Sequence, residues 1–214
     1  MRHLFFDLDG TLTDPGLGIT NSVSYALRRF GIQPQPREAL YCFIGPPLTD
    51  SFQRFFGFSP EKALDAVAAY REYYAETGIF ENAVYPGIQD LLSGLRDMGK
   101  ILVLATSKPQ PYAEKILSHY DLARYFSFVS GASMDERKAT KAAVVQAALD
   151  LTGADPEDCL MIGDREHDVL GAAVCGIRTL GVLYGYGTRS ELEAAGAWGI
   201  AETVRDLEEQ LHTL

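Results

Sequence analysis

Cysteine is scarce in this sequence of 214 residues, which contains only Cys42, Cys159 and Cys175. Their number is odd, their spacing is wide, and no pair forms a CxxC motif, so the pattern excludes zinc-finger spacing. Cys159 and Cys175 lie beside predicted buried strands, which is typical of small core residues in a reducing compartment. We therefore expect a cytoplasmic protein.

Positive charge is also in short supply, because 19 Lys and Arg residues against 29 Asp and Glu residues give a net charge of −10. This balance argues against nucleic acid or an anionic membrane as a partner, although a bound metal ion could still attract a small anionic substrate. Apolar runs stay well short of the ~18 residues of a membrane span. The N-terminus enters a strand at once, so we expect no signal peptide.

Short apolar runs alternate with helical patterns over most of the sequence. Five of these runs are predicted strands: His3–Phe6, Ile101–Ala105, Phe126–Ser130, Cys159–Ile162 and Thr179–Val182. The predicted helices among and after them cover Ile88–Met98, Pro111–Tyr120, Thr140–Leu151, a segment closing at Leu170–Ala173, Ser190–Ala195 and Val204–Leu211. This alternation indicates an α/β fold with a Rossmann-like, parallel, five-stranded sheet covered on both faces.

Residues 15–83 lack a convincing strand, and we interpret them as an all-helical insertion into a core made of residues 1–14 and 84–214. Two short helices are predicted within Tyr41–Gly57 and a longer one over Pro60–Thr77. Ser59 is the expected N-cap of the longer helix, with proline at its first turn. The insertion is rich in aromatic residues, among them Tyr25, Phe43, Phe52, Phe55, Phe56, Tyr70, Tyr73 and Tyr74.

Two carboxylates, Asp7 and Asp9, follow the first predicted strand and precede Gly10, which can turn the chain sharply. Side chains two residues apart in an extended segment lie on the same side, so the two carboxylates converge. At roughly 4 Å they would repel by a few kcal/mol at an effective dielectric near 20. The pair therefore calls for a cation or a shared proton, although an isolated DxDG is equally consistent with a plain strand end and turn.

Further polar side chains are predicted at the same edge, because ligands of an open parallel sheet lie beyond the carboxyl ends of its strands. Thr106 follows the second strand, Lys141 opens the helix after the third, and Asp164 and Asp168 follow the fourth. Phosphoryl transfer uses all of these types: carboxylates bind Mg²⁺, attack phosphorus or move protons, while hydroxyl and ammonium groups hold phosphoryl oxygens. Each also has a structural interpretation, such as a turn threonine, a solvated lysine or an acidic N-cap.

Four motifs in this order resemble those of the haloacid dehalogenase superfamily: Asp7-Leu8-Asp9-Gly10-Thr11, Thr106, Lys141 and Gly163-Asp164-Arg165-Glu166-His167-Asp168. The helical insertion is similar to the C1-type cap of that superfamily. Its phosphoglycolate phosphatase branch is the most similar, and Phe43–Leu48 and Leu183–Gly187 resemble a 5′-nucleotidase-like subgroup of the branch.

The resemblance implies a Mg²⁺-dependent phosphomonoester hydrolase that acts through an aspartyl-phosphate on a small phosphometabolite, either phosphoglycolate or a nucleoside 5′-monophosphate. Asp7 would be the nucleophile and a metal ligand, and Asp9 the general acid/base, with its backbone carbonyl on the metal. Thr106 and Lys141 would bind the phosphoryl group, with Lys138 as an alternative to Lys141.

The resemblance also assigns the rest of the metal and phosphate site. Asp164 would complete the metal site, and Asp168 would ligate directly, through water, or orient Lys141. Phosphate contacts would come from Gly10, Thr11, Ser107 and Lys108.

Two other functions stay open at this point. A phosphomutase would use the same aspartyl-phosphate but return the phosphoryl group to the sugar, and a regulatory protein would bind phosphate or nucleotide without turnover. The complete set of motif residues argues against the second.

Lys62 is the only lysine of the insertion and lies at a helix start, unlike the Schiff-base lysine of phosphonate-cleaving relatives. The insertion does not identify the substrate, since aromatic rings more often fill a small helical core and most helix arginines, such as Arg54 and Arg71, are solvated.

Overall fold

The structure is a computed structural model that describes residues 1–33, 35–134 and 140–214. These residues divide into two compact units, one made of Met1–Thr13 and Val84–Leu214 and the other of Asp14–Ala83. We call them the sheet unit and the helical unit.

The elements of the described residues follow one another along the chain as strands and helices. The strands are β1 (His3–Phe6), β2 (Thr13–Asp14), β3 (Ala83–Val84), β4 (Ile101–Pro109), β5 (Phe128–Ala132), β6 (Cys159–Gly163), β7 (Arg178–Val182) and β8 (Gly199–Ala201). The helices are α1 (Gly16–Arg29), α2 (Leu48–Phe56), α3 (Pro60–Glu76), α4 (Ile88–Asp97), α5 (Gln110–His119), α6 (Lys141–Thr152), α7 (Glu166–Val174), α8 (Arg189–Ala195) and α9 (Val204–His212).

The sheet unit contains a parallel six-stranded sheet in the order β5-β4-β1-β6-β7-β8. The α/β class and the parallel sheet predicted from the sequence are confirmed, but the number of strands was one too low. The additional strand, β8, has only three residues and pairs with β7 at the edge of the sheet. A run this short carries no periodicity by which a strand can be recognised.

Both faces of the sheet are covered, as the continuous apolar strands predict. Phe5, Val103 and Met161 point to one face and pack with α6 and α7 residues such as Val144 and Ala172. The alternate residues of the same strands, which must point to the opposite face, are equally buried: Leu4, Phe6, Leu102, Leu104, Leu160 and Ile162.

The helical unit is built on α1, α2 and α3, and its interior is aromatic. Ser59 caps α3 as predicted, because its hydroxyl accepts a hydrogen bond from the Lys62 backbone N–H at 3.2 Å. The ring of Phe52 lies 5.0 Å from that of Phe43 and stacks on that of Phe58 at 5.8 Å, centroid to centroid. Phe43, Phe52 and Phe58 are all buried, so these rings form part of the core of the unit.

Three local predictions were wrong. The first of the two helices expected within Tyr41–Gly57 is instead a 3₁₀ helix over Arg37–Phe43. The short strands β2 and β3 form a two-stranded sheet in a region where none was expected. Strand β4 also continues past Ala105 to Pro109, with a break in register between Thr106 and Pro109. Among the described residues, no helix combines the length and the apolar character needed to cross a membrane.

Candidate active site

The strand register brings three of the predicted site residues to one edge of the sheet. Strand β1 pairs in parallel with β4 and β6, so that Phe6 lies opposite Leu104 on one side and Ile162 on the other. The residues that come after these three paired positions therefore gather at the carboxyl edge of the sheet. They are Asp7 directly after β1, Thr106 in the continuation of β4, and Asp164 directly after β6. Asp7, Thr106 and Asp164 are at most 6% exposed.

A tight turn after β1 carries Asp9, Gly10 and Thr11. The Gly10 N–H donates to the Thr13 carbonyl at 2.8 Å, and the Leu12 N–H donates to the Leu8 carbonyl at 2.9 Å. Gly10 has φ of +83°, a left-handed conformation that favours glycine. A Cβ at Gly10 would also lie within 3.0 Å of the Asp164 carboxylate, so glycine is needed there for space as well.

Lys141, at the first position of α6, joins two of the carboxylates. Its Nζ lies 2.7 Å from Asp7 Oδ1, 2.7 Å from Asp168 Oδ1 and 3.0 Å from the Ala105 carbonyl oxygen. Two ion pairs and one hydrogen bond therefore hold the ammonium group. Burial alone would lower the pKa of Lys141, but the negative charges of Asp168 and Asp7 outweigh it and raise the pKa.

Both oxygens of Asp168 are engaged, one with Lys141 and the other with the Arg165 backbone N–H at 3.1 Å. Two glycines make this packing possible. A Cβ at Gly163 would lie within 3.0 Å of the Asp168 carboxyl group, and a Cβ at Gly171 within 3.0 Å of Lys141 Cβ. Asp168 and Lys141 therefore pack where a residue larger than glycine at 163 or 171 would clash with them.

Asp164 is fully buried and has no ion-pair partner within the described residues. Its Oδ2 accepts a hydrogen bond from the Tyr186 backbone N–H at 2.8 Å, whereas its Oδ1 has no hydrogen-bond partner there. Burial, together with the nearby charges of Asp168 and Asp7, raises the pKa of this carboxyl group well above its usual range. Such a carboxylate is costly to bury unless something else balances its charge.

Lys108 pairs with Asp9, since its Nζ lies 2.5 Å from Asp9 Oδ2. Burial raises the pKa of Asp9, and the Lys108 ammonium opposes part of that rise. The Lys108 backbone N–H donates to Thr106 Oγ1 at 3.3 Å. Ser107, which lies between these two residues in the sequence, is half-buried. Lys138, the alternative to Lys141, lies outside the described residues.

The carboxylates fit a hard divalent cation. Oxygen atoms of Asp7, Asp164 and Asp168 lie within 4.8 Å of one another, and all three residues are buried. Together with the single ammonium of Lys141 they leave two negative charges, and Oδ1 of Asp164 is without a partner in the described chain. Oxygen donors with this charge suit Mg²⁺ better than metals that prefer nitrogen or sulfur ligands.

Four hydrogen bonds of the site were not foreseen from the sequence. The Ala105 carbonyl accepts from Lys141, the Tyr186 N–H donates to Asp164, and Glu191 Oε1 accepts from Arg165 Nε at 2.8 Å and from the Glu166 N–H at 2.9 Å. The first two are backbone groups, which no side-chain pattern reveals. Glu191 belongs to α8, where it is an ordinary first-turn acid by its sequence position.

Residues 4–182 match the family model of haloacid dehalogenase-like hydrolases. Three curated relatives differ in the activity that their names state. A 5′-nucleotidase from Pseudomonas aeruginosa is 45% identical over 192 residues, which are 90% of this chain and 87% of that protein. The tyrosine-protein kinase PtkA from Mycobacterium tuberculosis is 38% identical, over 97% of this chain and 72% of the kinase. Phosphoglycolate phosphatase 1 from P. aeruginosa is 30% identical, over 96% and 78%.

A similar fold has been solved by crystallography. The crystal structure of a predicted phosphatase from Clostridium acetobutylicum is 44% identical in sequence and superposes with a TM-score of 0.97, covering 100% of this chain and 99% of the other. The likeness extends over both units of the present chain.

Proposed function

The chain belongs to the haloacid dehalogenase-like hydrolase family and is a phosphatase, and from this premise we propose a Mg²⁺-dependent phosphomonoesterase that forms an aspartyl-phosphate on Asp7. The observation that carries the proposal is the buried cluster of Asp7, Asp164 and Asp168 around Lys141. Three acids are kept in the interior with one ammonium, which stability alone would disfavour.

Asp7 is the proposed nucleophile. Lys141 holds its Oδ1, which leaves Oδ2 to attack phosphorus. As the new oxygen–phosphorus bond forms, the ester bond of the substrate breaks, and Asp9 gives its proton to the departing alkoxide. The raised pKa of Asp9 favours the protonated acid that this step requires.

Hydrolysis of the aspartyl-phosphate reverses the role of Asp9. Now a carboxylate, it accepts a proton from the water that attacks phosphorus, and the bond to Asp7 breaks to release inorganic phosphate. Lys108 stabilises the carboxylate form of Asp9 at this stage, because the two groups form an ion pair.

The remaining residues of the site are proposed to bind the metal ion and the phosphoryl group. Asp7 and Asp164, with the backbone of Asp9, would hold Mg²⁺, which supplies positive charge for the phosphoryl oxygens when bound. Thr106 and Lys141 are the proposed phosphoryl ligands, with Gly10, Thr11, Ser107 and Lys108 around them. Since both oxygens of Asp168 are engaged, we assign it the task of holding Lys141.

We propose a nucleoside 5′-monophosphate as substrate, supported by the 45% identity to a 5′-nucleotidase. The helical unit, proposed to act as a cap that selects the substrate, exposes 42% of Phe55, and the Arg54 guanidinium lies 5.3 Å from the centre of that ring. An exposed aromatic ring beside a cation suits a nucleobase. Phosphoglycolate is the second candidate, supported by the relative that is 30% identical.

Cytoplasmic location is part of the proposal, in keeping with three free cysteines.

The proposal is tested by phosphate release with Mg²⁺ from nucleoside 5′-monophosphates, 2-phosphoglycolate, sugar phosphates and a phosphotyrosyl peptide. Asp7→Asn is the blank, and Asp97→Asn, which changes an exposed acid of α4, is the matched control. We expect nucleotides to have the highest kcat/KM, and Phe55→Ala to raise KM for nucleotides but not for phosphoglycolate. A preference for phosphoglycolate would support the second candidate. Absence of phosphate release from every compound would contradict the proposed hydrolysis.

A further inference from the structure

A short segment after β7, Leu183–Gly187, takes no part in the chemistry proposed above, yet it contacts the metal site directly. We call this segment the strap. Its first residue continues the sheet, because the Leu183 N–H donates to the Ala201 carbonyl at 2.9 Å. The next four residues leave the sheet and pass over Asp164 and the turn that contains Gly10.

The strap provides the hydrogen bond that orients the Asp164 carboxylate. The Tyr186 N–H donates to Oδ2 at 2.8 Å, while Oδ1 is buried and has no partner among the described residues. One oxygen of the carboxylate is therefore fixed by the protein and the other is kept available. A carboxylate that binds a cation through one oxygen needs this division.

Two glycines let the strap approach so closely. A Cβ at Gly185 would lie within 3.0 Å of the Gly10 carbonyl oxygen and of Asp164 Cβ, and a Cβ at Gly187 within 3.0 Å of the Asp164 carbonyl oxygen. Neither residue is among the glycines with positive φ. An L-residue is thus excluded at these positions by the backbone and side chain of Asp164 and Gly10, and not by the conformation of the strap.

Tyr184 attaches the strap to the turn after β1. Its hydroxyl donates to the Thr11 carbonyl oxygen at 3.0 Å, and its ring meets Tyr85 edge to face at 5.1 Å. The strap is therefore tied at one residue to the loop that carries Asp9 and at another to the loop that carries Asp164. It fixes these two loops relative to each other.

From these contacts we infer that the strap is a positioning segment that aims Oδ1 of Asp164 at the cation and sets the metal affinity of the site. The inference rests on the proposed metal site. It assigns a task to Gly185, Gly187 and the Tyr184 hydroxyl, none of which contacts substrate in the proposed mechanism. Loss of such an outer contact costs about 10- to 100-fold in metal affinity in other proteins.

The test measures metal binding without turnover. Protein freed of metal is titrated with Mn²⁺, the free ion is followed by electron paramagnetic resonance, and bound Mn²⁺ is displaced with Mg²⁺. We expect Gly185→Ala to weaken Mn²⁺ binding by about 10- to 100-fold. Tyr184→Phe, which keeps the ring and removes the hydroxyl, should weaken it several-fold.

Gly181→Ala is the matched control, because Gly181 lies in β7, and a Cβ there would meet the flexible Leu192 side chain instead of Asp164. It should lower thermal stability and leave Mn²⁺ affinity unchanged. If Gly185→Ala fails to fold, Tyr184→Phe decides. Wild-type affinity in both strap variants would overturn the positioning inference alone. Failure of the wild-type protein to bind Mn²⁺ would overturn the proposed metal site as well, and wild-type affinity in Asp164→Asn would remove Asp164 from it.

Discussion

The sheet unit and the helical unit treat buried polar groups in opposite ways. In the helical unit, the buried polar residues among those described are Thr20, Ser22 and Ser51. Each donates its hydroxyl to the carbonyl four residues earlier in the chain, at 2.6, 2.6 and 3.1 Å. In the sheet unit the buried polar groups include five ionisable ones: Asp7, Lys108, Lys141, Asp164 and Asp168.

This difference shows which buried polar groups indicate a functional site and which do not. A buried hydroxyl that bonds to its own helix satisfies itself and requires no function. A buried carboxylate with an oxygen that lacks a partner, such as Asp164, is unfavourable in the protein alone and implies something that is added later. The sheet unit therefore points to a bound cation, whereas the interior of the helical unit, made of rings and self-satisfied helix hydroxyls, points to no ligand.

The largest effect is expected where the buried charge is also the nucleophile. Asp7→Asn should lower kcat by at least about 10³-fold, because the amide cannot form the phosphoryl-enzyme. Phosphate release in saturating Mg²⁺ measures it, with Asp97→Asn as a control that keeps wild-type activity. Turnover within tenfold of wild type in Asp7→Asn would remove the nucleophile assignment.

The aromatic interior of the helical unit can be tested with two rings of the same helix. Phe52 is fully buried, and its truncation to alanine should cost about 3–5 kcal/mol in the free energy of unfolding. Phe55 is 42% exposed, so Phe55→Ala should cost less than about 1 kcal/mol. Hydrogen exchange of peptides from residues 14–83 measures both. Equal loss of protection in the two variants would contradict the assignment of Phe52, rather than Phe55, to the core.

The sequence was sufficient to predict that Asp7 and Asp164 lie close together, because their positions follow from strand ends. Apolar runs locate β1 and β6, the parallel register brings their carboxyl ends together, and Asp7 and Asp164 must then be neighbours. The N-cap at Ser59 was predictable for a similar reason, since Ser-Pro-Glu determines a helix start within three residues.

The features that could not be predicted depend on contacts with backbone atoms far away in the sequence. The strap meets Asp164 through the Tyr186 N–H, and a main-chain donor looks the same at every position of a sequence. Its two glycines are visible, but the atoms that require them belong to Gly10 and Asp164, far away in the chain. Likewise, β8 is defined by its pairing with β7, and three residues carry no pattern of their own that would identify a strand.

The cost of the unpaired carboxylate should appear in the metal-free protein. Asp164→Asn removes one of three like charges and should stabilise the metal-free form by about 1–2 kcal/mol. At about 2–4 °C per kcal/mol, the rise in Tm is measurable by calorimetry. Saturating Mg²⁺ should reverse the order, because only wild type gains binding energy, about 2.7 kcal/mol at 100 times Kd. A variant less stable than wild type without metal would show that the charge is satisfied by the protein itself.

The smallest effect concerns Glu191, a carboxylate at the edge of the same site that, unlike Asp164, has its own cation. Burial alone would raise its pKa, but the hydrogen bonds from the Glu166 N–H and from Arg165 prevail and lower it below the usual 4.5. A lowered pKa means that the charged form is the stabilising one. Its contribution is therefore complete above pH 4.5 and is lost as the pH falls through the pKa of the folded state.

Glu191→Gln should accordingly cost about 0.5–1 kcal/mol at pH 7, a figure reduced for partial exposure to solvent. The difference from wild type should shrink as the pH falls below 4.5, as measured by urea unfolding at several pH values. Glu193→Gln, at an exposed position of the same helix, is the control and should show less than about 0.5 kcal/mol at any pH. A cost for Glu191→Gln that does not vary with pH would mean that packing, and not charge, holds Arg165 beside the acids of the site.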